Sequence, residues 1–282
     1  MNLLIQQSFQ SSGDDGMKEV LRIENLKQHF ISGKRLFSKG YTIKAVDGVS
    51  FTLDEGKTLG LVGESGCGKS TLGRTILKLF EPTAGKIYFE GKDITSLSSK
   101  EMRPLRRDMQ IVFQDPMESL NQRHTIGMIL EEPYIIHDIG TSNERKQWIL
   151  ELLDKVGLPR ESINRYPHEF SGGQRQRIGI ARAIALKPKL LICDESVSAL
   201  DVSVQAQIIN LLLVLQKEMN LAIIFISHDL SVVKKMSDDV AVMYFGKVVE
   251  FGEALKVYNQ PEHDYTKSLL SAIPITHPSQ RV

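Results

Sequence analysis

Apolar residues in this chain collect into short, nearly unbroken runs that alternate with stretches repeating every three to four positions. Runs at 20–26, 42–53, 58–62, 86–89, 109–113, 190–193, 222–226, 240–244 and 247–251 predict strands. Several are apolar throughout, the pattern of strands in a sheet covered on both faces. Helical periodicity fills 69–80, 143–156, 173–186 and 204–219, with Trp148, Leu152 and Val156 marking one amphipathic face. Strand-type runs cease between Asp115 and Phe170, which predicts a helical subdomain over about 115–185 inserted in an α/β core. The small, polar stretch 1–18 reads as a loose tail, 19–260 as one domain, and the proline-punctuated 261–282 as an extension outside the core. No internal repeat is visible.

Composition narrows the function classes. In 282 residues, 35 basic side chains against 34 acidic ones leave a net charge of +1, so no basic field marks a dedicated nucleic-acid binder, although a local patch stays open. Two cysteines exclude a disulfide framework and a four-cysteine metal site, and suit a reducing compartment. The apolar stretches 211–215 and 221–226 fall far short of the roughly 18 residues that a spanning helix needs. No basic segment followed by an apolar core opens the chain, so an intracellular protein with peripheral membrane contact is expected.

The most specific chemistry lies in Gly63-Glu64-Ser65-Gly66-Cys67-Gly68-Lys69-Ser70-Thr71, which fits G-x-x-x-x-G-K-[ST] between a predicted strand and a predicted helix. Glycines there let consecutive backbone N–H groups converge on phosphate oxygens, and the helix N-terminus adds partial positive charge. Lys69 would reach the β- and γ-phosphates and the Ser70 hydroxyl would ligate Mg²⁺. Cys67, at a variable position of the loop, reads as a spacer.

A second apolar run ends in Asp194-Glu195, two acids at the strand end where open α/β sheets bind ligands. Asp194 would hold the metal and Glu195 would accept a proton from the attacking water. Either acid could instead be an ordinary turn or cap residue, and His228, after the run at 222–226, could be a cap or a contact to the γ-phosphate. Ser171-Gly172-Gly173-Gln174 opens another helix, with Ser171 as a natural N-cap and bare glycine backbone suited to an anion. A second anion site remote from the first makes sense if it closes over a nucleotide held by another subunit.

With these motifs in place, the chain resembles the nucleotide-binding subunits of ATP-binding cassette (ABC) transporters over about residues 19–272. The resemblance rests on 63–71, Gln114, Ser171–Gln174, Asp194-Glu195, Ser198-Ala199-Leu200-Asp201 and His228, in the family's order. It implies an α/β P-loop NTPase core with an antiparallel β subdomain, a helical insertion and a short C-terminal extension. Two such domains would sandwich two ATP molecules head to tail, each ATP meeting the P-loop of one and the Ser171–Gln174 signature of the other. Gln114 would join Asp194 and Ser70 at Mg²⁺ and act with Glu195 and His228 in hydrolysis, and Asp201 would communicate across the dimer. Tyr41 is the candidate for stacking on adenine, with Phe37 as the alternative and a plain strand aromatic as the other reading of Tyr41.

Within the family the chain is similar to oligopeptide/dipeptide importers, through the phrases at 42–51, 113–116, 168–177, 198–207 and 261–274. No cysteine follows Cys193, which resembles the F-type rather than the D-type of their two ATPase subunits. The implied partners are a D-type ATPase, two transmembrane permease subunits and an extracytoplasmic substrate-binding protein, with no nucleic acid. The implied location is the cytoplasmic face of the bacterial inner membrane. Nickel, metallophore or glutathione import and a soluble, non-transport ABC ATPase stay open as alternatives. Two departures from the family pattern are Ser196 and Gln122, each standing where proline is usual.

Overall fold

The computed structural model describes residues 18–32, 41–115, 119–198 and 200–272. Among them the strands form two sheets. β1 (Glu19–Ser32), β2 (Tyr41–Asp54), β4 (Ala84–Phe89) and β5 (Lys92–Asp93) make an antiparallel sheet in the order β2-β1-β4-β5. In the second, β3 (Thr58–Val62), β6 (Met109–Val112), β7 (Leu190–Asp194), β8 (Ala222–Ile226) and β9 (Asp239–Tyr244) run parallel, and β10 (Lys247–Glu253) closes one edge antiparallel to β9. The order across this sheet is β10-β9-β3-β8-β7-β6.

The unbroken apolar runs conceal an alternation that the core resolves. Leu190, Ile192, Ile224 and Ile226 join one apolar cluster with Phe51, Ile87 and Leu72, beneath the antiparallel sheet and the helix α1 (Lys69–Ile76). Leu191, Cys193, Ile223 and Phe225 join a second cluster under the helices of the opposite face. Period-two side-chain placement thus commits each strand to two cores at once.

The helical face is built from α3 (Ile126–Ile136), α4 (Ser142–Lys155), α5 (Gly172–Ile184) and α6 (Val202–Met219). Thr141 and Glu144 close a capping box at the start of α4, satisfying two otherwise orphaned N–H donors. Trp148 of α4 packs on Tyr134 of α3 with ring centroids 5.2 Å apart, and the Tyr134 hydroxyl donates to the Ala185 carbonyl just past α5 at 3.0 Å. No strand occurs among the described residues between 115 and 170.

Differences from the sequence reading have local causes. α1 stops before 80 because Lys78 turns to φ 54°, its ammonium donating to the Thr95 carbonyl at 2.6 Å. β1 and β2 run past 26 and before 42 as a hairpin whose outer end, with Ile31 and Ile43 exposed, carries no burial pattern. Four short helices carried too few periodic positions to register: α2 (Ser99–Leu105), α7 (Leu230–Met236), α8 (Ala254–Asn259) and α9 (Asp264–Ser271). Of these only α9 lies in the expected extension, and its Tyr265, Leu269 and Leu270 pack against the helical-face core. Both cysteines are free and buried, and no helix among the described residues is long and apolar enough to cross a membrane.

Candidate functional site: a phosphate cradle beside paired carboxylates

β3 is buried at all five positions, and the loop that leaves it turns back sharply to start α1, with Gly68 as N-cap. Glycine is required at two points of this loop. A Cβ on Gly68 (φ 111°) would stand 1.9 Å from the Ala45 carbonyl oxygen, and one on Gly63 (φ 145°) would stand 2.2 Å from that of Met243. The loop closes around its own lysine: Lys69, only 4% exposed, donates from Nζ to the carbonyls of Gly63 (2.7 Å) and Glu64 (3.0 Å). Burial pushes the Cys67 thiol above its ordinary range, as suits a spacer and not a nucleophile.

Ser70, the next residue, donates from Oγ to Asp194 Oδ1 at 2.6 Å, and the Arg74 guanidinium lies 3.6 Å from Asp194 Oδ2. Asp194 is the last residue of β7 and is 2% exposed. Glu195 then takes a left-handed conformation (φ 48°), its N–H donating to the Ile226 carbonyl at the end of β8 (3.0 Å). That bond offsets a backbone conformation costing about 1–2 kcal/mol. Gln114 Nε2 donates to Glu195 Oε2 at 2.9 Å, and His228 Nδ1 lies 3.8 Å from the same oxygen. Three strand ends therefore bring Gln114, Glu195 and His228 together beside the Ser70–Asp194 pair.

Lys69, Ser70, Gln114 and Glu195 border a cavity of about 670 Å³, with Asp194 and His228 behind them as partners of Ser70 and Glu195. Its walls are Thr42–Ala45 of β2, the loop and first helical turn from Ser65 to Thr71, Gln114, Glu195, and Phe245-Gly246 in the β9–β10 turn. Another cavity of about 610 Å³, between α3, α4 and the end of α5, contains none of these groups. Ser70, Asp194 and the Gln114 amide are hard oxygen donors of the kind Mg²⁺ takes, an ion that keeps several waters and leans on substrate phosphates.

Not every expected residue reaches this cavity. Tyr41 sits at the outer end of the hairpin, 63% exposed, and the strand meets the cavity only from Thr42 onward. Phe37 lies outside the described residues. The aromatic on the cavity wall is Phe245, 76% exposed, which the sequence reading missed; its one local signal was an aromatic before a turn glycine. Ser171–Gln174 are not on this cavity's wall either. Ser171 Oγ accepts from the Gln174 N–H and Gln174 Oε1 accepts from the Ser171 N–H, so the two close a capping box on α5. Ser171, Gly172 and Gln174 are exposed, as is Asp201, which precedes α6 without a side-chain cap. A Cβ on Gly173 would stand 2.3 Å from Val204 Cγ1, so close packing of α5 on α6 holds the signature beside Asp201.

A mostly parallel sheet with a strand–loop–helix phosphate cradle after β3, two carboxylates at the end of β7, two strands away, and a Ser-Gly-Gly-Gln helix cap off the cavity wall define an ATP-binding cassette, and the chain belongs to the ABC transporter family, whose model matches residues 46–198. Its relatives include the oligopeptide transport ATP-binding protein AppF of Bacillus subtilis, 54% identical over 259 residues (91% of this chain, 79% of the relative). OppF of the same organism, also an oligopeptide transport ATP-binding protein, is 54% identical over 263 residues (93% and 84%). Among solved structures, the ATP-binding cassette MJ0796, in a dimeric post-hydrolysis state bound to ADP and Pi, superposes with a TM-score of 0.73 at 28% identity (83% of this chain, 98% of that one).

Proposed function

We propose that this chain is the ATP-hydrolysing subunit of a membrane ABC importer for di- or oligopeptides, paired with a second cassette of the D-type. The observation that carries the reading is that Lys69, Ser70, Gln114 and Glu195 share one cavity wall, Ser70 being paired with Asp194 and Glu195 standing beside His228. The peptide cargo is supported by the names of the oligopeptide-transport relatives.

The loop N–H groups and the Lys69 ammonium bind the β- and γ-phosphates, for which Lys69 exchanges its present carbonyl partners. Ser70, Asp194 and Gln114 would hold Mg²⁺, which supplies charge neutralisation at the phosphates. Glu195 orients the attacking water and takes its proton, while Gln114 and His228 hold that carboxylate and sense the γ-phosphate. Phe245, open on the cavity wall, offers the adenine a ring in place of Tyr41. Ser171–Gln174 and Asp201, facing solvent away from this cavity, complete the site of the partner cassette. Hydrolysis then reopens the pair, and the helical subdomain at about 115–185 passes that movement to two permease subunits at the cytoplasmic face of the membrane, fed by an extracytoplasmic binding protein.

The test is a mild-detergent pull-down of the tagged chain from its native membranes, followed by phosphate-release assays with and without peptides. Recovery of a second cassette and two polytopic subunits, with peptide-stimulated hydrolysis, is the expected outcome. Stimulation by nickel chelates or glutathione alone would replace the cargo. Recovery of ribosomes, nucleic acid or only the chain itself would overturn the transport reading.

A further inference from the structure

The segment after β10 does more than pack. Glu250 of β10 accepts backbone N–H bonds from Glu262 (2.8 Å) and His263 (3.0 Å), fixing where the chain turns toward α9. His263 Nδ1 then accepts from the Tyr265 N–H at 3.1 Å, a cap that sets the first turn of α9. From that turn Tyr265 crosses to the phosphate cradle, where its hydroxyl oxygen accepts the Glu64 N–H at 3.0 Å. Glu64 is also the residue whose carbonyl receives Lys69 Nζ at 3.0 Å. The Gly63–Glu64 peptide is therefore held at both its polar groups, its N–H by Tyr265 of the C-terminal helix and its carbonyl by Lys69, which also takes the Glu64 carbonyl of the next peptide.

Aromatic contacts run parallel to this hydrogen-bond chain. The Tyr265 ring lies 4.2 Å from that of Tyr244, and the Tyr244 ring lies 4.5 Å from that of Phe245 on the cavity wall. Burial pushes the Tyr265 hydroxyl above its ordinary range, so it stays a neutral acceptor through the physiological range.

We infer that Tyr265 is a positioning residue of the ATP site, setting the Glu64 peptides and through them the Lys69 ammonium in a phosphate-receiving arrangement. The inference rests on the reading of the cradle as an ATP site. A backbone bond to a neutral hydroxyl contributes about 0.5–1.5 kcal/mol. Removing it predicts a weakening of nucleotide binding of about 2- to 12-fold, equal for ATP and ADP because both place a β-phosphate in the loop.

The experiment compares the full chain, purified with its co-purifying subunits, as wild type, Tyr265→Phe and Tyr258→Phe. Tyr265→Phe keeps the ring contacts and deletes only the acceptor. Tyr258→Phe removes another partly buried hydroxyl, one that donates to the Leu230 carbonyl at 2.6 Å and touches no part of the loop. Affinities for fluorescent mant-ATP and mant-ADP are measured, together with the rate at which a thiol reagent modifies Cys67, with the fully buried Cys193 as internal reference. The expected result is a matched loss of affinity for both nucleotides and faster Cys67 labelling in Tyr265→Phe alone. Wild-type affinity and labelling in Tyr265→Phe, or an equal loss in Tyr258→Phe, would overturn the inference while leaving the ATP site standing. Failure of the wild type to bind mant-ATP would overturn both.

Discussion

Two glycines of the same loop allow steric exclusion to be separated from backbone strain. Gly66 (φ 81°) and Gly68 (φ 111°) both lie where side chains are disfavoured. A Cβ on Gly66 meets nothing within 4 Å, whereas one on Gly68 meets the Ala45 carbonyl oxygen at 1.9 Å and its carbon at 3.1 Å. Gly66→Ala therefore carries only the conformational cost, about 1–2 kcal/mol. Gly68→Ala adds an overlap with backbone that no rotamer change relieves, a further 1–3 kcal/mol or so, for a total of about 2–5 kcal/mol. At about 2–4 °C per kcal/mol, the Gly68 variant should melt several degrees below the Gly66 variant. Urea and thermal unfolding of the nucleotide-free chain read this directly. Equal destabilisation of the two variants, or a Gly68→Ala protein as stable as wild type, would refute the close approach of the cradle to β2.

Three other outcomes follow from the site. Glu195→Gln should keep ATP binding and lower phosphate release by the assembled complex about 10²- to 10⁴-fold, and unaltered turnover would remove Glu195 as the base. Ser70→Ala strips the 2.6 Å donor from a carboxylate that is 2% exposed, so the nucleotide-free chain should lose about 1.5–3 kcal/mol in urea titration; no loss would mean that the hydroxyl and Asp194 are not paired. Burial holds the Cys193 thiol protonated up to a pKa of about 12, from an ordinary 9.0. Above pH 9 the unfolded chain sheds this proton first and binds fewer protons than the native one, so stability falls as pH rises toward 12, by up to about 1.4 kcal/mol per unit. Cys193→Ala should flatten that part of the pH profile, and an unchanged slope would assign the effect to other groups.

The cradle could be read from the sequence because its residues are consecutive, although the backbone that Gly68 and Gly63 must clear, at Ala45 and Met243, lies elsewhere in the chain. Strands such as 190–193 and 222–226 were visible as strands, since burial on both faces leaves every position apolar, yet the same feature concealed which residue joins which core. What could not be read depends on contacts between distant segments. The left-handed turn at Glu195 depends on the Ile226 carbonyl, and the role of Tyr265 on Glu64, 201 residues away. Tyr41 and Phe245 exchange places at the cavity because the reach of β2 is set by its hairpin register with β1, which no periodicity in 41–45 encodes. The capping pair Ser171–Gln174 was legible, but its separation from the cradle is a property of the packed α5–α6 corner.

Trp148 is the one tryptophan in the chain. It lies against Tyr134, whose hydroxyl ties down the residue following the signature helix, while the cavity wall holds no indole. Intrinsic emission excited at the red edge of the absorption band is thus a gauge fitted at the far end of α5. A purine in the cradle cavity, whose walls do not include Trp148, does not touch the indole, so a change in colour or yield that tracks occupancy of the cradle has travelled through the helices. The native protein, without label or substitution, already separates occupancy of the cradle from its mechanical consequence.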